Sequence, residues 1–492
     1  MEILQAYTPV KMELKSSKTL GKAPTKYHAN KNATRIVNIP YKKYIKKMNA
    51  PTDCVIPNIS ENFTPEENAK IINECISSLE IGGTVYIPSG EYKISTVTLK
   101  SDMTLFISEN ARLISMNFEE NEKSTSPLFG GVIYAENCEN ITVTGGGKIS
   151  GSGRSYTNEP EISEPLFALC EFNLYTRIVE ARKRIRFSKT KNRYSVLKFK
   201  SCKSIVVDSV ILDESASWTL VIESCDNVMI KNTVIDNDMR VANTDGIDLC
   251  GGDGCVIENC FIATGDDAIV LKPIYNKISN VKISNCVMTT FANWFKIGTE
   301  SPCDVENVKM QSCEFFLPDG ITGGYSGIAI ESADGANIDS VTISDIEMDG
   351  ISSPLLIWLG NRLKYENKKV GSIKKISNIN AINTELPSAI TGCKVGDEIY
   401  KVKNVKLENI KSVYRNTKEQ LTVREKASDI SMDGYPEISR VSHYYFNSHE
   451  ESEYWDLPCY SLFIRYAENI DYKGLKTVPR ECSTLQELYI EK

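Results

Sequence analysis

Short alternating runs of apolar and polar residues, each opened by a polar turn, repeat along the middle of the chain. They run over Lys203–Val210, Asp226–Asn232, Asp253–Asn259, Asn280–Asn285, Glu306–Ser312 and Asn337–Ser344. Each carries β-branched or other apolar residues at alternate positions and closes on Asn, Ser or another small residue, the pattern of a half-buried strand ended by a turn. Asn232, Asn259 and Asn285 recur at steps of 27 and 26 residues, and Ser312 follows after 27 more. Cys260, Cys286 and Cys313 keep the same step, which predicts a column of thiols inside the molecule. Weaker copies lie at Lys100–Ile107, Glu139–Val143 and Lys403–Asn409.

A period in the twenties with two-residue alternation inside each unit predicts a solenoid. Leucine-rich repeats need Leu at fixed offsets, which these units lack. The expected architecture is therefore all-β, a right-handed parallel β-helix whose coils hydrogen-bond to one another. Its open end needs a cover. Thr64, Pro65 and the segment Asn68–Leu79 predict a helix with Thr64 as N-cap and Pro65 in the first turn, followed by a first strand over Gly82–Pro88. Residues 1–50 predict a Lys-rich N-terminal arm, residues 51–417 the β-helix domain, and residues 418–492 a loop excursion and C-terminal coil. The basic stretch Arg177–Arg193 breaks the coil rhythm and reads as an insertion.

Composition narrows the function classes. The chain has 492 residues, 57 Lys and Arg against 64 Asp and Glu, and a net charge of −7, which gives no reason to expect nucleic acid or an anionic membrane as partner. No apolar stretch is long enough to span a bilayer. The charged N-terminal sequence lacks the apolar segment of a signal peptide, so a cytoplasmic, reducing location and free thiols are expected for the 15 cysteines. Cys250, Cys255 and Cys260 are spaced by fives, and His28, His443 and His449 are the three histidines, an inventory that predicts no metal cofactor.

Two segments depart from the repeat: Asp238–Leu249, containing Asn243, Thr244 and Asp245, and Ala263–Lys272, containing Gly265, Asp266 and Asp267. Asp266 lies 21 residues after Asp245, close to one coil, so Asp245, Asp266 and Asp267 are expected to crowd on one face. Three such carboxylates repel, and one then keeps a proton near neutral pH. A protonated acid beside carboxylates is the equipment for glycosidic cleavage. Isolated acids such as Asp226, Asp253 and Asp304 are instead expected to cap turns.

The run Asn243–Asp248 followed by Gly265–Ile269, set in a parallel β-helix, resembles glycoside hydrolase family 28, the polygalacturonase family, over roughly residues 80–415. The resemblance implies inverting hydrolysis of α-linked galacturonide chains without a metal, with Asp266 as general acid and Asp245 and Asp267 holding and activating water. Two features depart from the family pattern. Asn293 stands where the family has a His, within Ala292–Thr299, and Ala329 and Glu331 stand where it has an Arg and a Lys. Glu331 would repel a galacturonate carboxylate by about 1–4 kcal/mol at 4 Å. Either another cation (Lys296, Lys272, Arg240 or Arg362) replaces the pair, or the substrate is neutral. Candidate substrate-binding residues are Asn243, Lys272, Asn293, Trp294, Lys296, Glu331 and Arg362; for Trp294, sugar stacking and coil packing both stand open.

The expected function is an inverting, exo-acting glycosidase that trims short pectin-derived oligosaccharides. A β-helix polysaccharide lyase using Ca²⁺ and a basic residue, or a non-catalytic carbohydrate-binding β-helix, are the alternatives.

Overall fold

The computed structural model describes residues 35–36, 38–116, 130–156, 193–318, 323–365, 369–377, 387–408, 410–414, 459–479 and 486–491. The expected excursion at 418–458, most of the basic insertion and the first 34 residues lie outside the described residues. What is described is a right-handed parallel β-helix with three strands per coil. A first ladder starts at Gly83–Ile87 and continues through Lys203–Asp208, Asp226–Lys231 and Gly252–Glu258 to Ala467–Asp471. A second ladder starts at Gly90–Ile94 and runs through Val234–Asp236 and Phe261–Thr264. It merges with the first in long strands such as Val305–Phe316. The third ladder is a 12-stranded sheet that includes Leu220–Glu223, Ile247–Leu249, Ile269–Leu271, Phe295–Ile297 and Gly323–Ser332.

The polar residue that opens each sequence repeat has a conformational task. Asn140, Ser204, Asn227, Asn280, Asn307, Ser340, Asn404 and Asn469 occupy one column along the first ladder, all with φ between 54° and 58°. At the turn into the second ladder Ser209, Asn232, Asn259, Asn285, Ser312 and Asp345 form another, with φ from 50° to 56°. Asn, Asp and Ser tolerate this left-handed conformation because their short side chains bond locally. Here they also bond along the stack: Asn259 Nδ2 donates to Asn232 Oδ1 at 2.6 Å, and Asn232 Nδ2 to Asp208 Oδ1 at 2.8 Å. Asp226, Asp253 and Asp304 act as the sequence predicts, accepting hydrogen bonds from the turn of the next coil.

Inside, Ile, Leu and Val columns fill the stack; each fully buried side chain contributes roughly 1.5–3 kcal/mol. Cys260, Cys286 and Cys313 do line up, each thiol donating to the backbone carbonyl two residues before it. The thirteen described cysteines are all free. The helix Pro65–Ser78 begins with a complete capping box between Thr64 and Glu67 and buries Ile72 and Ile76 over the first coil. Asn68 fixes it there by donating to the backbone oxygens of Ser60 and Lys93. Before it, Tyr44 is fully buried against Phe261, and Tyr41 bonds Asp236, so residues 38–48 lie along the second ladder. No described helix is long and apolar enough to cross a membrane.

Asn259→Ala should lower stability by about 1–3 kcal/mol, the sum of left-handed strain and a lost hydrogen bond. Asn259→Gly, which removes the strain, should lose less. Thermal unfolding of both variants measures this, and equal losses would mean that the backbone conformation is not what selects Asn.

Candidate active site

Asp245, Asp267 and Asn293 sit at equivalent positions of three successive coils, each at the corner where the chain passes from the second ladder to the third. The register Ile247↔Ile269↔Phe295 fixes this, and so do the backbone bonds from Gly246 N to Asp267 O and from Ala268 N to Asn293 O. Two glycines allow the corners to close on each other. A Cβ on Gly265 would lie 2.0 Å from the Val241 oxygen, and one on Gly246 would lie 2.4 Å from the Ala268 oxygen. Thr244 Oγ1 accepts from the Gly265 N–H at 3.0 Å, and Thr264 and Thr290 both donate to the Asp266 carbonyl, at 2.6 and 2.5 Å. The doublet is thus pinned through its backbone while its carboxyls point outward.

One oxygen from each of Asp245, Asp266 and Asp267 falls within 4.8 Å of the other two. At an effective dielectric near 20, two charges at that separation repel by about 3–4 kcal/mol. Asp266 is half-buried at the rim; its Oδ2 accepts from the Asn243 N–H at 2.9 Å and its Oδ1 from the Asp267 N–H at 3.1 Å. Asp267 is buried, and its Oδ1 accepts from both the backbone N–H and the Nδ2 of Asn293, at 3.1 and 2.9 Å. Asn293 Oδ1 in turn accepts from Ser326 N–H at 3.1 Å. Asn293 therefore orients Asp267 and is enclosed by protein.

The lysines are engaged too. Lys272 Nζ donates to Asp245 Oδ2 at 2.7 Å and Asp248 Oδ1 at 2.6 Å, and lies 3.6 Å from the centroid of the Trp218 ring. Burial works against its charge, yet the two carboxylates hold its pKa well above the ordinary lysine value. Burial pushes Asp245 up, Lys272 opposes this, and Asp248, Asp266 and Asp267 add to the rise. Asp248, fully buried, is raised to about 7, first by burial, against the pull of Lys272. Asp245 Oδ1 and Asp248 Oδ2 are buried without a hydrogen-bond partner among the described residues. Lys296 Nζ lies 3.6 Å from Asp267 Oδ2 and 3.5 Å from Glu331 Oε2; Glu331 Oε2 also accepts from Thr299 Oγ1 at 3.0 Å.

One sequence-based candidate is corrected. Trp294 has no exposed face: its ring packs against Gly324 and its indole N–H donates to the Met288 and Phe316 carbonyls, so it fills the coil and offers no sugar platform. Arg362 is paired with Asp334 through two hydrogen bonds, donates to Thr299 O at 3.1 Å and lies 3.7 Å from Glu300. Arg240 is likewise clamped onto Asp238, at 3.2 and 3.1 Å. Ala329 is fully buried directly beside Lys296 in the third ladder. Sequence reasoning missed Asp248 and Trp218. The signal for Asp248 is a charge at an outward position of a strand whose neighbours point inward.

The three Asp oxygens are close enough to hold a divalent ion. Lys272 on Asp245 and Lys296 on Asp267 already supply positive charge at two of the three.

The model of Glycosyl hydrolases family 28 matches residues 81–396, well over half of the chain, and the chain belongs to that family. A probable polygalacturonase of Arabidopsis thaliana is 29% identical over 171 residues, 34% of this chain and 36% of that protein. A polygalacturonase of Juniperus ashei is 26% identical over 231 residues, 45% of this chain and 43% of its own length. The chain thus matches between about a third and a half of these relatives' length. Among solved structures, a family 28 exopolygalacturonase of Yersinia enterocolitica superposes with a TM-score of 0.61 at 15% identity, over 90% of this chain and 78% of that one. A polygalacturonase from Erwinia carotovora gives 0.53 at 16% identity, over 91% and 99%. Both share the fold.

Lys272→Met should destabilise the protein by about 3–5 kcal/mol, because it strands two buried carboxyls without their counter-ion. The loss should depend on pH. An acid raised on folding costs nothing below its unfolded pKa and its full penalty above the folded one; Asp248 stands at about 7 with Lys272 in place and higher without it, so the variant's extra penalty sets in above about pH 4 and is still growing above pH 7. Lys272, also raised, contributes fully at every pH below its unfolded value of 10.5. Denaturant titrations should therefore find the variant nearest wild type at about pH 4 and furthest behind above pH 7. A gap that does not vary with pH would contradict this charge pairing.

Proposed function

We propose that the protein is an O-glycosidase that hydrolyses pectin-type chains or their oligosaccharide fragments at the Asp245, Asp266 and Asp267 triad. The observation that carries the reading is the meeting of three carboxyl oxygens within 4.8 Å. Full ionisation of all three is costly there, and a shared proton relieves it. Asp266, at the rim, is the member positioned to give that proton to the departing glycosidic oxygen. Asp245 and Asp267, deeper and each fixed by a hydrogen-bond donor on one oxygen, hold the water that attacks the anomeric carbon and accept its proton. Asp245 Oδ1 is an acceptor of the right kind for this water, being buried with no donor from the described chain.

The reaction then inverts the anomeric centre in one displacement. Most inverting pairs stand roughly 6.5–9.5 Å apart to admit the water. Here the oxygens are nearer, and the water is instead gripped between two carboxylates on one side of the bond. The lyase reading would place a divalent cation on the same three carboxylates, where Lys272 and Lys296 compete with it; loss of activity with a chelator and an unsaturated product would favour it.

Asp266→Asn should lower turnover by roughly two or more orders of magnitude with an unchanged unfolding temperature. Wild-type-like turnover in that variant would remove Asp266 from the mechanism. Proton NMR of the first product formed should show the anomer opposite to that of the substrate. Retention would instead make one Asp a nucleophile.

A further inference from the structure

We propose that the glycosyl unit seated against the triad is uncharged, either a neutral pyranoside or a uronate carried as its ester. This rests on the hydrolytic reading above and adds the charge class of the substrate.

Among the described residues, five carboxyl groups, Asp245, Asp248, Asp266, Asp267 and Glu331, and two ammonium groups, Lys272 and Lys296, stand around the triad. Each lysine is divided between two carboxylates, so neither has a surplus of positive charge to offer an incoming anion. Glu331 is fully buried and shares Lys296 with Asp267, which places its carboxylate about one pyranose ring from the triad. Arg193 extends its field to Asp245. Arg362, the next cation along the wall, faces both Asp334 and Glu300.

The wall therefore repels an anionic group more than an uncharged one of the same size.

A matched pair of substrates tests this without changing the linkage: trigalacturonate and its methyl ester, offered to the full chain at low ionic strength. 4-Nitrophenyl α-L-rhamnopyranoside and α-D-galactopyranoside are run beside them. The uncharged compounds should show a kcat/KM at least about tenfold above trigalacturonate, as expected for one like-charge contact. The ratio should shrink as salt screens the repulsion. Glu331→Gln should narrow it by raising kcat/KM for trigalacturonate. Cleavage of the ester alone assigns an esterified uronate, and cleavage of a nitrophenyl glycoside assigns a neutral sugar. Faster, Asp266-dependent cleavage of trigalacturonate overturns the inference and leaves the hydrolase reading standing. If nothing is cleaved, the hydrolase reading falls. Calorimetry on Asp266→Asn then decides the inference alone: tighter binding of the ester supports it, and equal or tighter binding of trigalacturonate, or no binding of either, overturns it.

Discussion

Register between successive coils is the constraint on which the rest of the structure depends. Backbone hydrogen bonds fix each coil about 4.8 Å from the next, so whatever faces outward at one position faces the same way beside its neighbour. Inward, this gives columns of Ile, Leu and Cys that bury one another. Outward on the third ladder, it gives Asp248, Val270, Lys296 and Ala329 in line, and Asp245, Asp267 and Asn293 at the corner above. No residue in the column can move away from the next without breaking the ladder. Charges set there must be compensated in place.

That requirement explains the character of the site. Lys272 reaches back one coil to Asp245 and Asp248, while Lys296 divides itself between Asp267 and Glu331. Such buried pairs do little for net stability, since desolvation offsets their attraction. What they do is fix where the remaining negative charge lies and which oxygens stay available. Asn293, with both ends of its amide engaged, sets the orientation of Asp267 in the same way.

Much of this was legible in the sequence, and the exceptions have physical causes. The coil repeat announced itself because left-handed turn residues are chemically restricted, so Asn232, Asn259 and Asn285 stand out at a regular step. The capping helix was visible in Thr64, Pro65 and Glu67. The triad was visible because an Asp doublet after Gly265 is costly anywhere else. Trp294 was not readable, because at the corner two consecutive residues, Trp294 and Phe295, both turn inward, and two-residue alternation fails there. Nor was the engagement of Lys272, whose partners lie 24 and 27 residues earlier and meet it through the coil length alone.

The helix Pro65–Ser78 has a consequence beyond the coil it covers. Beneath it, beyond the single bridge that Val55 makes to Val85, the first coil presents backbone edges and an apolar cross-section of the same kind as any coil in the stack. A molecule stripped of this cover would offer a template on which another could dock end to end, and the product would be a growing filament. By seating Ile72 and Ile76 on that surface, fourteen residues keep a polymerisable architecture from extending itself at this end.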